Sequence, residues 1–351
     1  MNILQLNFIL CICYIFITRG IIAPLHVKDK IFLVVTYLQL ILIHAFVEYS
    51  SVPDLSGYEE MFKNFGSLSW GECLNFSTGI EPGYAIINKM IYSLGFHFRG
   101  VLIVYSFCFL LALYKIIVKY SPIVKFSVII ILLTIFNQSL FVVRQYWALS
   151  IVIFSYKYII ERKILPFLIV VLTASLFHIT ALVTLPVYFL YGLNRKKLLI
   201  ILIVLCFLTK IGLNAILVYG GMLIEAKSAY LQDDSFMSYV PLVESLFVLS
   251  CYCIALKNHV FKDGINKLLF VLCAVSACIC IGGIGEVAIF IRLNLYFSLI
   301  PFLIFPMVIK RAKGVSNRFI ISIFVIIFYY VLTFKSSSFD YLTGLKMDFL
   351  N

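Results

Sequence analysis

The chain has 351 residues, 63% of them hydrophobic and only 13% charged, with a formal net charge of +12. A soluble domain runs at roughly 45–50% apolar and 25% charged residues, so no water-surrounded core could hide this much apolar surface. The solvent is lipid, a soluble catalytic domain of ordinary size fits nowhere in the chain, and the excess Lys and Arg report topology rather than nucleic-acid binding.

A spanning helix needs about 20 apolar residues. Apolar runs recur at about 3–18, 31–47, 101–118, 126–142, 146–160, 164–177, 179–192, 198–217, 241–256, 266–284, 287–309 and 318–334. The expected fold is therefore an all-α polytopic membrane protein, a single transmembrane domain over residues 1–351 with about twelve transmembrane helices. The first run, Ile3–Thr18, has no positive charge ahead of it and no small-residue cleavage site after it. It reads as a retained span with its amino end outside rather than as a signal peptide. Nine of the ten cysteines lie in or beside apolar runs and read as small buried hydrophobes, while Cys73 falls in a polar loop.

Alternation from an outside amino terminus puts the connections 19–30, 115–125, 157–163, 193–197, 257–267 and 310–318 in the cytoplasm. They carry 19 of the 28 Lys and Arg, as the positive-inside rule requires. The deciding step is residues 164–194, which run between Arg162/Lys163 and Arg195–Lys197. One tilted helix there would invert everything downstream. Two short crossings that turn near Phe177–Thr180 keep both basic clusters inside and bring His178 to the outer surface.

Two outer segments stand apart from the spans. Residues 48–100 form a loop and a short helix, with Asp54, Glu59, Glu60, Trp70, Glu72 and Glu81 in the loop. Pro82 suits the first helical turn and Gly95 the helix end. Between them Ala85, Ile86, Met90, Ile91 and Leu94 recur at helical spacing opposite Asn88, Lys89 and Ser93. This helix is too short to span and is expected in the interface or dipping into the bundle. The second outer loop, 218–240, carries Glu225, Lys227, Asp233 and Asp234.

A charged side chain inside a span is costly and is a functional candidate by default. Arg144 follows Phe136-Asn-Gln-Ser139 and opens Arg-Gln-Tyr-Trp-Ala, and Arg292 lies inside an apolar run after Gly282-Gly-Ile-Gly-Glu286. A guanidinium cannot be deprotonated and needs an anion. That anion is either Glu286 or another outer carboxylate, or the phosphate oxygens of a ligand held in a bidentate clamp. Arg144 has no carboxylate nearby in sequence, which favours the clamp. Arg99, between Phe98 and Gly100, reads as an interfacial anchor. His178, in Ala-Ser-Leu-Phe-His-Ile-Thr-Ala, is either a packing residue or a proton acceptor suited to neutral pH. Asp54 and Glu81 are alternative bases or sugar-hydroxyl acceptors, unless they are merely solvated. His26, His44, His97 and His259 look unremarkable by position. No metal-ligand cluster, glycine-rich phosphate loop or cofactor motif is visible, so neither metal nor cofactor is expected.

The run Phe136-Asn-Gln-Ser-Leu-Phe-Val-Val-Arg-Gln-Tyr-Trp-Ala-Leu-Ser150, then Tyr158-Ile-Ile-Glu-Arg-Lys163 and Ala174-Ser-Leu-Phe-His-Ile-Thr-Ala181, resembles the EpsG-like branch of bacterial polysaccharide polymerases. These are related in role to the O-antigen polymerases called Wzy. Pro53-Asp-Leu-Ser-Gly-Tyr58 and Glu81-Pro-Gly-Tyr84 resemble the outer-loop motifs of that family, and Ile291-Arg-Leu-Asn-Leu-Tyr-Phe297 its late Arg-and-Tyr span. The motifs are short, and their succession over most of residues 50–300 is the specific feature. One departure is the absence of an Arg ahead of the Asp-x-x-x-Tyr motif, where this chain has Glu48-Tyr-Ser-Ser-Val-Pro.

The resemblance implies a metal-independent glycosyltransferase in the bacterial inner membrane. It would join oligosaccharide units carried on undecaprenyl pyrophosphate at the periplasmic face, beside a chain-length regulator. Donor and acceptor would both be lipid-linked units. Such chemistry needs cations for the leaving pyrophosphate and a base for the attacking hydroxyl. Arg144 and Arg292 suit the first task, and His178 the second, with Asp54 or Glu81 in reserve. Tyr58, Trp70, Tyr84, Arg99, Gln145, Glu286 and Tyr296 are the expected substrate contacts. Another lipid-linked glycosyltransferase or an O-antigen ligase is the nearest alternative. A flippase would more often show paired broken helices and charges at the midplane.

Overall fold

A computed structural model describes residues 3–74, 79–220, 239–262, 264–282, 287–298, 300–335 and 347. The helices are α1 (Ile3–Gly20), α2 (Leu25–Phe46), α3 (Leu55–Ser67), α4 (Trp70–Leu74), α5 (Pro82–Ser93), α6 (Phe98–Tyr120), α7 (Val124–Leu133), α8 (Ile135–Ser139) and α9 (Val143–Ile160). They continue as α10 (Ile164–Ser175), α11 (Leu185–Gly192), α12 (Arg195–Gly220), α13 (Tyr239–Leu256), α14 (Ile265–Gly282), α15 (Val287–Ser298), α16 (Pro301–Arg311) and α17 (Val315–Lys335). No strand occurs among the described residues, where a lone antiparallel bridge joins Val47 to Met347.

The architecture is that of an all-α, multi-pass membrane protein. Five described helices, α1, α2, α6, α14 and α17, are long and apolar enough to cross a membrane. Shorter apolar helices accompany them at Val124–Leu133, Ile164–Ser175, Ile179–Gly192 and Val240–Leu256. Phe16 and Ile17 on α1, Leu38 and Leu42 on α2, Phe107 on α6 and Phe319 and Phe324 on α17 are exposed. Facing water they would forfeit about 25 cal/mol per Å² of apolar surface, whereas lipid tails accept them without cost.

Two apolar runs that read as single spans are broken helices. The run 126–142 stops at Leu133, where Thr134 leaves the helical region at φ −124° and ψ −84°. Its hydroxyl donates back to the Ile130 carbonyl at 2.6 Å, the local competition that threonine offers to a helix. The Leu133 carbonyl is taken up by the Thr333 hydroxyl of α17. Irregular backbone survives at membrane depth only where protein supplies such partners, and α8 is accordingly buried at Ile135, Phe136, Asn137 and Ser139. The run 287–309 divides into α15 and α16, with Pro301 in the first turn of α16, where its missing N–H costs nothing.

The chain forms two compact units. The first comprises residues 1–154, 172–181 and 314–351, the second 155–171 and 182–313. In the first, α2 packs on α1 and α6, α3 and α4 cover α5, and α17 lies against α7. In the second, α14 is the centre and touches α11, α12, α13 and α15.

α5 ends as its sequence suggests. Gly95 adopts φ +79°, its N–H reaches the Tyr92 carbonyl, and the Phe96 N–H reaches Ile91 at 3.2 Å. This pair of bonds is a Schellman cap. The buried face of α5, however, is rotated from the apolar spacing. Tyr84, Ala85, Asn88 and Ile91 point inward, while Met90 and Leu94 are exposed. Asn88 is tolerated inside because its amide donates to the Tyr84 carbonyl at 2.8 Å.

Residues 162–192 fold back on themselves. α10 ends at Ser175, the chain turns at Leu176–His178, and a 3₁₀ segment Ile179–Thr184 leads into α11. Phe167 stacks on Tyr188 with ring centroids 5.1 Å apart. At the base the Arg162 guanidinium lies 4.3 Å from the Tyr188 ring and donates to the Tyr188 carbonyl. It fills the space over Gly192, where a Cβ would lie 2.6 Å from its Nη2. Only a returning chain brings residue 162 to residue 192. Reporter fusions at Lys163 and Lys196 should therefore read the same side of the membrane and one at Phe177 the other. All three on one side would make the hairpin re-entrant, and opposite readings at Lys163 and Lys196 would refute it.

Candidate functional site

Glu81 occupies the N-cap position of α5 yet makes no capping bond to its own helix. Its carboxylate reaches outward instead. Oε2 accepts from Arg144 Nη1 at 2.7 Å, and Oε1 accepts the Ile179 N–H at 3.0 Å. The same Oε1 lies 3.8 Å from His178 Nδ1. The Arg144 and Glu81 side chains are only 20% and 12% exposed, so this pair is less screened than surface pairs, which are worth about 0–1 kcal/mol. Arg144 also sits in the first turn of α9, the positive end of the helix dipole, which makes an anionic neighbour doubly necessary.

Backbone contact explains why the three groups meet. The Gly83 N–H donates to the Leu176 carbonyl at 2.8 Å. A Cβ on Gly83 would stand 2.6 Å from that oxygen, so only glycine lets α5 dock directly on the turn that carries His178. From the other side Trp147, one turn after Arg144, stacks on Phe177 at 5.2 Å between centroids. The segments Glu81-Pro-Gly-Tyr84, Arg144-Gln-Tyr-Trp147 and Leu176-Phe-His-Ile-Thr180 thus converge in the first unit. Tyr58 of α3 completes the group with its ring 6.0 Å from the Arg144 guanidinium carbon. Burial pushes the Tyr58 phenol up, against the pull of the Arg144 charge, so Tyr58 stands beside Arg144 as a neutral ring.

His178 is anchored through Nδ1. Thr180 supplies both contacts, its Oγ1 at 2.8 Å and its N–H at 3.3 Å. Nothing in the sequence singled out Thr180, although the His-x-Thr spacing is the signal that could have. Nor did the sequence show the carboxylate of Arg144. Of the two anions the sequence left open for Arg144, an outer carboxylate is the one in contact, brought by the fold from 63 residues away.

The other expected residues are dispersed. Tyr84 is fully buried, with Tyr58, Phe65 and Trp147 against its ring. It builds the wall of the site and offers no stacking face for a sugar, which corrects the expectation drawn for it. Trp70 is half exposed, with Lys89 Nζ 5.9 Å from its ring centroid. Arg99 lies over Phe46 at 5.3 Å and Tyr49 at 5.9 Å, the contacts of an anchor. Asp54 is exposed at φ +62° just before α3, and its carbonyl accepts the Tyr58 N–H at 3.0 Å. Gln145 is buried beside Arg144 in the chain. Arg292 and Tyr296 belong to the second unit, exposed and buried respectively on α15. Glu286 lies outside the described residues, as do residues 221–238 of the second outer loop.

Gly83→Ala tests the docking contact. Its methyl group meets backbone that cannot swing away, so the purified protein should lose about 1–3 kcal/mol of stability, read as a lower melting temperature in detergent. Gly71→Ala, with open space around its Cβ position, should not lower it.

Comparison with known proteins agrees with the succession of motifs. A family model described as the EpsG family matches residues 30–346. No curated protein and no solved structure matches the chain. The family match takes in the loop motifs, the Arg144 segment, the hairpin and the α15 segment in a single stretch. The chain belongs to the EpsG family, membrane proteins of the polysaccharide polymerase type.

Proposed function

We propose that this protein polymerises a bacterial surface polysaccharide, O-antigen or exopolysaccharide, at the periplasmic face of the inner membrane. In this reading it joins repeat units carried on undecaprenyl pyrophosphate. About twelve crossings leave the amino terminus, the loop 48–100 and the His178 turn outside. The observation that carries the reading is the shielded group of Glu81, Arg144, His178 and Tyr58, which unites a fixed cation, a carboxylate and an imidazole beside the loop.

The reaction has two demands. A hydroxyl of the acceptor sugar attacks the anomeric carbon of the donor, a new C–O bond forms, and the bond to pyrophosphate breaks with its electron pair on the leaving oxygen. Arg144 meets that growing charge. It spends Nη1 on Glu81, while its buried Nε–H has no partner among the described residues. That Nε–H is sealed from solvent, so donors for phosphate oxygens come from the remaining N–H groups of a side chain that is 20% exposed, and the first turn of α9 adds its dipole. Arg292 is the second cation of the reading.

The hydroxyl proton goes to His178. The Glu81 carboxylate, 3.8 Å from Nδ1, stabilises the imidazolium that results. Glu81 is the less available proton acceptor, because its two oxygens already accept from Arg144 and Ile179. Trp70, half exposed, remains a contact for the sugars, with Asp54 at the loop edge, whereas Tyr58 is buried against Tyr84 and Arg144 and supports the site from behind.

Arg144→Lys keeps the charge and loses the fork, so it should shorten the polysaccharide ladder sharply at normal protein level. A full ladder in both Arg144→Ala and Arg292→Ala would overturn the pyrophosphate clamp. In a deletion strain, core bearing one repeat unit fits a polymerase, whereas core bearing no glycan fits a ligase.

His178→Gln supplies a hydrogen-bonding amide without basicity. Loss of a base is worth roughly 10²–10⁴-fold in rate, enough to collapse the ladder to one or two units. A working glutamine variant would leave His178 only a packing or positioning task.

A further inference from the structure

Ser139 ends the five-residue helix α8, and after it Leu140–Val142 turn the chain into α9 and Arg144. This buried serine is gripped from two helices. The Tyr105 hydroxyl of α6 donates to the Ser139 carbonyl at 2.8 Å. His44 of α2 presents Nε2 to Ser139 Oγ at 3.0 Å and Nδ1 to the Leu40 carbonyl at 3.0 Å. The Ser139 hydroxyl also donates to the Phe136 carbonyl at 2.6 Å, and Ser106 Oγ lies 3.2 Å from Nδ1, so the ring joins two serines and a helix carbonyl in one buried polar network. Phe136 and Tyr105 wedge the His44 ring edge-on at 4.9 and 5.5 Å. On the other side of the elbow the Tyr146 hydroxyl donates to Gln138 Oε1 at 3.1 Å.

A histidine fully buried in a span is expensive unless a task repays it. Neither His44, Tyr105 nor Ser139 touches the group around Arg144 through a polar contact. They hold what precedes it. The chain between α8 and α9 has backbone bonds from Leu140 to the Asn137 carbonyl at 3.4 Å and from Phe141 and Val142 to the Gln138 carbonyl, and the side-chain contacts to Ser139 add to these local bonds. Tyr105 further abuts Trp147, with centroids 5.8 Å apart, and Trp147 is the residue that stacks on Phe177.

We propose that His44 and Tyr105 are positioning residues that latch Ser139, fix the elbow between α8 and α9, and so set where the Arg144 guanidinium stands. The use of that position rests on the polymerase reading, but the latch itself does not.

Tyr105→Phe removes one hydroxyl and keeps the ring, and Ser139→Ala removes the Oγ alone. Two measurements on the full-length protein separate the questions. In detergent, hydrogen exchange of the peptide covering 140–147 should rise about tenfold in either variant, the value of one lost net hydrogen bond, while α17 exchange stays unchanged. In cells, each variant should slow polymerisation roughly 10–100-fold, as a displacement of about 1 Å at a reacting group does. The same substitutions should cost nothing more in an Arg144→Lys background. Unchanged exchange at 140–147 in both variants, or an equal loss with and without Arg144→Lys, overturns the latch. A normal ladder in Arg144→Lys alone refutes the polymerase role of Arg144 instead, and the exchange result still decides the latch.

Discussion

An arginine keeps its charge even at the edge of a lipid-embedded bundle, and the arrangement around Arg144 follows from that. Placed in the first turn of α9, its cation faces both a low dielectric and the positive end of a helix dipole. The carboxylate of Glu81 resolves the conflict at 2.7 Å, and everything that holds Glu81 in place thereby becomes part of the site. Pro82 opens the helix, Gly83 admits the Leu176 carbonyl, and the turn brings the Ile179 N–H and His178 to the second carboxylate oxygen. A single electrostatic requirement thus ties together three segments far apart in sequence.

Lipid imposes the second constraint. Backbone groups freed by a broken helix find no water in the bilayer core, so each break needs a partner from the protein. The break at Thr134 has Thr333 for the Leu133 carbonyl, and the end of α8 has Tyr105 for Ser139. These bonds are few, and each lies beside a change of chain direction. Within the first unit, the breaks at Thr134 and at Leu140–Val142 precede the Arg144 segment, while α1 and α17 carry exposed apolar side chains.

Aromatic side chains supply the rigid wall behind the polar group. Tyr84, Trp147, Phe177 and Tyr105 meet edge-on, tilted or stacked, geometries that favour ring contacts. They exclude water from one side of the ion pair, which strengthens it. Tyr84, which its motif suggested as a sugar contact, serves this wall because its ring is enclosed by Tyr58, Phe65 and Trp147.

By itself the sequence determined the solvent, the helical class, the family resemblance and the hairpin at 162–192. Hydropathy and basic clusters are sums over a segment, and a sum survives ignorance of any single contact. It also determined the ends of α5, because Pro82 and Gly95 act through their own backbone angles. Only the tertiary structure decided which carboxylate answers Arg144, which face of α5 turns inward, where the long apolar runs break, and that His44 grips Ser139 across 95 residues. Those outcomes depend on pairs of side chains that no local pattern links. Whether a polar group inside lipid is an anchor, a latch or a reacting residue is fixed by the partner that the fold delivers to it.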